Sequence, residues 1–292
     1  MPARPELMNE KTLTLCMIVK NEAHNLLKCL DSVRTLTPEI VIVDTGSTDA
    51  TPEFAVSLGA TIESFDFTTV DFAAARNRAK ALANGRWILV LDADETLDPA
   101  SVPLIQQLVA RNENAGYYFR RVNRLADAEQ ARKDYVIRLF PNRPEYHYRG
   151  RVHETIDDSI LAGGGLLLRS GVRIEHDFAS DPEARRRKNL WYVGILNQEI
   201  AEDPGDSTRL DFLAAEYHQL GMFDAAMEIA ERITRMRPRD PQAHLRAGIY
   251  HLLHKFDRQK ARSDFSEALK LRPGCREAQS FLELIDRQEG RL

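Results

Sequence analysis

The residues of this sequence best suited to chemistry are two aspartates, Asp92 and Asp94, which follow the wholly apolar run from Trp87 to Leu91. Clustered carboxylates repel one another and raise each other's pKa, and a bound divalent cation relieves that cost. Magnesium and manganese accept hard oxygen ligands and bind proteins through one or two carboxylates together with substrate phosphates. The pair therefore predicts a site for a metal ion and a diphosphate, with an ordinary acidic turn as the alternative.

Two further carboxylates follow earlier apolar runs. Glu22 lies just past the first run, and Asp44 comes at the end of the second. Because the carboxyl ends of parallel strands meet at one edge of a sheet, both side chains can face one ligand there and accept hydrogen bonds from a base or ribose. The predicted helix that starts near Ala73 carries Arg76 and Asn77, a cation and an amide suited to phosphate charge. A solvated basic helix face is the alternative for that segment.

An alternation of strands and helices must position these residues. Apolar, β-rich runs alternate with helical patterns over the first hundred residues, which favours an α/β fold with a mostly parallel sheet between helices. The predicted strands cover residues 13–19, 40–43, 61–65 and 87–91. Further strand-like runs, at residues 117–122, 135–140 and 166–174, predict an antiparallel extension of this sheet. Asp49 is expected either to cap the helix that begins near Thr51 or to join the ligand site.

The chain beyond about residue 180 is almost wholly helical in pattern. Pro204, Pro238 and Pro273 recur at intervals of 34 and 35 residues, and a period near 34 is typical of tetratricopeptide repeats. Small residues such as Gly248 would let paired helices approach closely. An unrelated helical bundle is the alternative. The expected division of the chain is an N-terminal tail (1–11), an α/β domain (12–180) and a helical domain with about two repeats (181–292).

Three segments at the ends of predicted strands and one in a predicted helix form a recognisable combination. They are Met17-Ile18-Val19-Lys20-Asn21-Glu22, Val41-Ile42-Val43-Asp44-Thr45-Gly46-Ser47-Thr48-Asp49, Ala75-Arg76-Asn77 and Leu91-Asp92-Ala93-Asp94-Glu95. Together they resemble family-two glycosyltransferases of the GT-A fold, over residues 12–180. The resemblance implies an inverting transfer of a hexose-type sugar from a nucleotide sugar, commonly a UDP-sugar, with Mn²⁺ or Mg²⁺. The tail resembles a bacterial subgroup with C-terminal tetratricopeptide repeats, some of which modify peptides or proteins.

Motif matching within this resemblance implies a role for each residue at the strand ends. Glu22 and Asp44 would contact the nucleoside, Arg76 and Asn77 would lie close to the nucleotide, Asp92 would lie near the ribose or donor sugar, and Asp94 would bind the metal. Some GT-A enzymes complete the metal shell with a histidine from the region where His176 lies, and imidazole does bind manganese. A purely structural histidine is the alternative at that position.

The four motifs do not identify the catalytic base of the proposed reaction. Many relatives place it in a downstream Glu-Asp pair, which has no clear equivalent here. Inverting transfer needs a carboxylate or imidazole to take the acceptor's proton as the nucleophile attacks the anomeric carbon. We predict Glu154 as this base, with His153 either replacing it or orienting it; a loop with a satisfied His–Glu pair is the alternative. Arg138, Arg149 and Arg151 are candidates to bind pyrophosphate or acceptor.

The composition of the chain limits the kinds of partner that the protein is expected to bind. The net charge of −4 argues against a protein that coats nucleic acid or an anionic membrane. No run approaches the roughly 18 apolar residues of a membrane span, and the three separated cysteines suit a reducing compartment, so we expect a cytoplasmic protein. The repeats favour a peptide or protein acceptor, although a saccharide, a lipid-linked acceptor or self-association would suit the same helical surface.

Two rival functions follow from the same sequence. One is a peptide-binding scaffold in which the nucleotide-sugar domain is degenerate, which the joint presence of Glu22, Asp44, Asp92 and Asp94 disfavours. The other is a nucleotidyltransferase, which would need a glycine-rich phosphate loop directly after the first strand, where this chain has Lys20-Asn21-Glu22 instead.

Overall fold

The computed structural model describes residues 12–36, 38–125, 132–178, 181–255 and 257–290. Within these ranges eight strands form one mixed sheet in the order β3-β2-β1-β4-β7-β6-β8-β5. The strands are β1 (Leu13–Val19), β2 (Glu39–Asp44), β3 (Thr61–Ser64), β4 (Trp87–Val90), β5 (Glu95–Leu97), β6 (Ala115–Leu125), β7 (Arg132–Pro141) and β8 (Leu166–Phe178).

The helices flank the sheet in the first part of the chain and continue without strands in the second. The first group is α1 (Ala23–Val33), α2 (Thr51–Ser57), α3 (Phe72–Leu82), α4 (Val102–Arg111) and α5 (Asp157–Ala162). The second group is α6 (Pro182–Glu202), α7 (Ser207–Gln219), α8 (Phe223–Met236), α9 (Pro241–His254), α10 (Arg258–Leu271) and α11 (Arg276–Gln288). Short 3₁₀ turns at Arg34–Leu36 and Pro99–Ser101 complete the regular structure.

Strand β4 is buried on both faces, as its apolar sequence predicts. Trp87 and Leu89 belong to one hydrophobic core, and Ile88 and Val90 belong to a second core on the opposite face of the sheet. Successive side chains of a strand point to opposite faces, so a strand between two helical layers must be apolar at every position. The sheet therefore lies between two packed layers. The residues that follow each parallel strand form the carboxyl edge of the sheet, which these layers leave accessible.

The pairing of the strands confirms the parallel half of the predicted sheet. Strand β1 runs parallel to β2 and β4, and β2 runs parallel to β3. Strand β7 is antiparallel to both β4 and β6, as the predicted extension requires. Strand β8, however, pairs parallel with β6 and antiparallel with β5, so the predicted antiparallel extension is wrong for the pairing of β6 with β8. Strand β7 already carries the chain back to the end of the sheet where β6 begins, and β8 starts at that same end on the other side of β6, so it runs in the same direction as β6.

Strand β5 has only three residues and was missed from the sequence, where Glu95 looks like part of an acidic turn. It pairs antiparallel with β8, and the register places Glu95 opposite His176. The tertiary pairing, rather than local pattern, makes this segment a strand.

The chain separates into two compact units at residues 180 and 181. The second unit consists of helix pairs, and Gly248 in α9 shows why small residues recur there. A Cβ atom at Gly248 would lie 2.7 Å from the ring of Phe265 in α10, so glycine is needed for this close helix approach. Phe265 and its neighbours Ala261 and Ala268 are fully buried. This packing matches the tetratricopeptide pattern read from the sequence.

Candidate active site at the carboxyl edge of the sheet

The loops that follow β1 and β2 are tied together by hydrogen bonds. The backbone N–H of Asn21 donates to Ser47 Oγ at 2.9 Å, and Thr48 N–H donates to Asn21 Oδ1 at 2.7 Å. Asn21 has a φ of 58°, a left-handed conformation that asparagine tolerates better than most residues. The N–H of Glu22 donates to Thr51 Oγ1 at 2.8 Å. The structure therefore brings the ends of these two strands to one place, as the sequence predicts.

The carboxylate of Asp44 shapes the loop after β2. It is nearly buried and accepts hydrogen bonds from the backbone N–H of Ser47 at 3.2 and 3.1 Å and from the Ser47 hydroxyl. Asp49 accepts from the N–H of Thr51 at 3.0 Å, while the N-cap of α2 is Ala50, which has no side-chain cap. Asp49 therefore lies one residue before the N-cap and two before the first residue of the helix, and the predicted side-chain N-cap is wrong.

Helix α3 places Arg76 beneath the site. The helix begins at Phe72 because Asp71 caps it, accepting from Ala74 N–H at 2.8 Å. Arg76 is buried, and its guanidinium donates from NH2 to Asp92 Oδ1 at 2.8 Å and from Nε to Glu154 Oε1 at 2.6 Å. One cation thus joins the first aspartate of the acidic motif to the predicted base.

Arg138 on β7 supplies a second cation to the acidic motif. Its NH2 group donates to Asp92 Oδ2 and to Glu95 Oε1, each at 2.6 Å. Arg121 on β6 approaches Glu95 Oε1 at 3.4 Å and binds Asp134 through two hydrogen bonds of 2.9 and 2.8 Å. Arg138 is therefore engaged by the protein's own carboxylates, which is at odds with a role in binding pyrophosphate.

These contacts move the pKa values of the two neighbouring carboxyls in opposite directions. Partial burial raises the pKa of Asp92, but the charges of Arg138 and Arg76 outweigh burial and hold that pKa well below its usual value. Burial raises the pKa of the fully buried Glu95; Arg138 opposes this shift, and the charge of Asp92 adds to it. Asp92 is therefore the more acidic member of this pair.

Asp94 and His176 face each other across β5 and β8. The distance from His176 Nε2 to Asp94 Oδ2 is 3.1 Å, and His176 Nδ1 lies 2.6 Å from Asn123 Oδ1. A carboxylate oxygen and an imidazole nitrogen at this separation form a donor set that suits manganese or magnesium when substrate oxygens complete the shell. Among the described residues there is no cluster of three or more His, Cys, Asp or Glu side chains able to enclose a metal.

The loop from Arg149 to Thr155 carries the predicted base. Two backbone hydrogen bonds between these residues, of 2.9 and 3.1 Å, close the loop, and His153 within it has a φ of 49°. Phe72 at the start of α3 donates its N–H to the carbonyl of Arg151 at 2.9 Å, which fastens the loop to that helix. Glu154 lies next to Arg76 as a result.

Asn77 holds the segment before this loop. Its side-chain amide donates to the carbonyl of Tyr148 at 2.9 Å and accepts from the Tyr148 N–H at 2.8 Å. Two other basic residues of the same helix point elsewhere, because Arg78 pairs with Glu63 and Lys80 donates to the carbonyl of Arg143. Only Arg76 of this basic run reaches the acidic motif, and the placement of Asn77 near a nucleotide stays a prediction.

Arg121, Asn123 and Asp134 were not recognised from the sequence as parts of the site. They lie on β6 and β7, which are far in sequence from all four motifs. For Arg138 the sequence predicts only that it is one of three candidates to bind pyrophosphate or acceptor. One signal was available for it: an arginine inside the apolar run of β7 must be buried with a carboxylate partner.

Comparison with known proteins decides the family. The glycosyl transferase family 2 model matches residues 14–175, more than half of the chain. The chain belongs to glycosyl transferase family 2. Its sheet and flanking helices are the GT-A arrangement expected of a nucleotide-sugar glycosyltransferase, and the helical part that follows is tetratricopeptide-like.

Two curated relatives of this family 2 chain come from bacteria. A TPR repeat-containing protein of Synechococcus elongatus is 42% identical over 150 residues, which are 51% of this chain and 36% of the relative. An uncharacterized glycosyltransferase of Rickettsia typhi is 23% identical over 194 residues, which are 62% of this chain and 65% of the relative. The matched regions thus cover about a third to two thirds of these relatives' own length.

A solved structure is also similar to this family 2 chain. A fragment of TarS from S. aureus, crystallised with UDP-GlcNAc, is 10% identical with a TM-score of 0.49, and the match covers 89% of this chain and 91% of that one. Within the described residues, every helix is too short or too polar to cross a membrane.

Proposed function

We propose that this family 2 glycosyltransferase transfers a sugar, with inversion at the anomeric carbon, from a nucleotide-diphosphate sugar to an acceptor. A UDP-sugar is the donor we favour, because the motifs at the strand ends match those of enzymes that commonly use one. The observation that carries the proposal is the position of Arg76, which joins Asp92 to Glu154 while Asp94 faces His176. Residues predicted for the donor, the metal and the base thereby gather at one sheet edge.

We assign a Mn²⁺ or Mg²⁺ ion to Asp94 and His176. The facing oxygen and nitrogen support this assignment, since a metal bound by two side chains leaves room for diphosphate oxygens and water. A cation bound there would neutralise the charge of the diphosphate leaving group.

Glu22 and Asp44 are assigned to the nucleoside and Asp92 to the ribose or donor sugar. The joined loops after β1 and β2 support the first assignment, since they hold both carboxylates at the same sheet edge. The two arginine contacts support the second, because they keep Asp92 ionised and therefore able to accept hydrogen bonds from sugar hydroxyls.

Glu154 is the proposed base. As the acceptor oxygen attacks the anomeric carbon, the bond from that carbon to the diphosphate oxygen breaks and the acceptor proton passes to Glu154. Arg76 engages Oε1, so we assign the proton to Oε2. His153 lies next to Glu154 in the closed loop and remains the alternative base. A peptide or protein acceptor, held by the helical repeats, is the class we favour because stacked repeats form surfaces that grip peptides.

A donor-hydrolysis screen over nucleotide sugars, with and without Mn²⁺, tests the function. We expect metal-dependent release of nucleotide diphosphate from one donor class, and calorimetry should detect binding of UDP with Mn²⁺. A scaffold with a degenerate domain would show neither, which would refute the enzyme assignment.

Two variants test the assigned residues. Asp94→Asn should abolish metal-dependent hydrolysis, and Glu154→Gln should lower transfer by about 10²- to 10⁴-fold, the usual contribution of a general base. Glu145→Gln, an exposed glutamate paired with Arg143, is the matched control and should retain full activity. Full transfer by Glu154→Gln together with loss in a His153→Gln variant would move the base to His153.

A further inference from the structure

A continuous chain of polar contacts leads from one aspartate of the acidic motif to the other. It passes through eight side chains in the order Asp92, Arg138, Glu95, Arg121, Asp134, Asn123, His176 and Asp94. The members come from the acidic motif and from strands β5, β6, β7 and β8, whose pairing brings them together. The last links, from Asp134 to Asp94, determine how the imidazole of His176 is presented.

The amide of Asn123 has one orientation in this chain. Asp134 can only accept, because burial, which raises its pKa, is outweighed by the hydrogen bond from Arg121, and the pKa lies below its usual value. Asn123 therefore turns its Nδ2 toward Asp134 Oδ2, at 3.3 Å, and its Oδ1 toward His176 Nδ1, at 2.6 Å. An amide oxygen only accepts, so the imidazole must carry a proton on Nδ1.

We propose that Asn123 is a positioning residue that holds His176 in the Nδ1–H tautomer and so presents the Nε2 lone pair, beside Asp94, to a divalent cation; this rests on the proposed metal-dependent function. Ligand histidines in metal sites usually donate their second ring N–H to a fixed acceptor, which sets ring orientation and ligand strength. Asp134 in turn fixes the amide, and Arg121 fixes Asp134. Sequence motifs assign nothing to these three residues.

The proton on Nδ1 is measured directly in the full-length protein without metal or substrate, where Nε2 can also carry a proton because Asp94 Oδ2 lies 3.1 Å away. Long-range ¹H–¹⁵N spectra of histidine-labelled protein at pH 8 show which ring nitrogen carries the proton, and a His176→Gln variant identifies its signals among the eight histidines. We expect Nδ1 to carry a proton in the wild type, whether or not Nε2 is also protonated, and we expect Asn123→Leu to lose the Nδ1 proton and to keep one on Nε2, which faces Asp94. A proton on Nε2 alone in the wild type would overturn the proposal, and so would an unchanged pattern in Asn123→Leu.

Metal binding gives the second readout. The Mn²⁺ dissociation constant, measured by electron paramagnetic resonance with UDP present, should rise about 10- to 100-fold in Asn123→Leu, the usual effect of losing such a partner. Asn197→Leu, in helix α6, is the matched control and should bind as the wild type does. Equal Mn²⁺ affinity in Asn123→Leu and the wild type would contradict the proposal.

A conservative variant separates positioning from general damage to the fold. In Asn123→Asp, a carboxylate oxygen replaces the amide oxygen as the acceptor for His176 Nδ1–H, while Asp134 keeps its pair with Arg121. We expect this variant to keep the proton on Nδ1 and to bind Mn²⁺ more tightly than Asn123→Leu does, and loss of either would count against the proposal. If the wild type has the Nδ1–H pattern but binds no Mn²⁺ with UDP, the metal-dependent function fails while the tautomer assignment stands.

Discussion

Arg138 offers a quantitative test of how the acidic motif is held. Its side chain is 7% exposed, and one NH2 group serves both Asp92 and the fully buried Glu95 at 2.6 Å. In Arg138→Met, Glu95 keeps the hydrogen bond from the Asp92 backbone N–H at 3.1 Å, but its remaining cation is the more distant Arg121; Asp92 keeps Arg76. Removing one partner of a buried ion pair costs about 3–5 kcal/mol, and because second cations remain we expect the lower end, about 3 kcal/mol.

The measurement can be confined to the unit that carries Arg138. The chain has two tryptophans: Trp87 is buried in the core of the sheet, and Trp191 lies in helix α6. In a Trp191→Phe background, fluorescence during urea unfolding therefore reports on the first unit alone. Arg78→Met, which removes an exposed ion pair with Glu63, is the matched control and should leave the midpoint almost unchanged.

The dependence of this effect on pH checks its cause. Without Arg138 the pKa of Glu95 rises further, so the folded variant binds a proton where the unfolded chain, with a glutamate pKa of about 4.3, does not. Stability of the variant then falls as pH rises, and its deficit should be smaller at pH 5 than at pH 8. The lowered pKa of Asp92 acts in the opposite sense, but only below about pH 4. A midpoint shift no larger than that of Arg78→Met, or a deficit independent of pH, would refute this reasoning.

Three further predictions concern other parts of the molecule. Gly248→Ala should destabilise the helical unit by about 1–3 kcal/mol because the new Cβ overlaps the Phe265 ring, and an unchanged thermal transition in calorimetry would contradict the helix packing. Asn77→Ala should cost about 1–3 kcal/mol in urea unfolding, since it leaves the backbone groups of Tyr148 without partners; a neutral result would mean that water replaces the amide. Burial raises the pKa of Cys16 to about 12, so this thiol should resist iodoacetamide at pH 8 until the protein unfolds, and rapid alkylation of the native protein would show that it is accessible.

Local patterns in the sequence were sufficient to predict the strands and helices that bury a continuous apolar face. Strand β4 is apolar at every position because both faces are covered, and the helix pair around Gly248 and Phe265 repeats at a fixed interval because each pair packs on the next. The motif residues Asp44 and Asp92 follow such strands directly, so their meeting at one edge could be predicted from strand order alone.

The polar connections among those residues were decided only by the tertiary structure. Asn123, Asp134 and Arg138 act through partners that are far away in the sequence. These partners become neighbours only when β6, β7 and β8 pair, and the parallel direction of β8 relative to β6 was not expected. Whether a hydrogen bond forms depends on differences of a few tenths of an ångström in the donor–acceptor distance and on the direction in which a side chain points. Residue spacing encodes neither. The sequence by itself therefore determined the family, the sheet edge and the motif residues, whereas the tertiary structure decided which cation holds Asp92 and which amide orients His176.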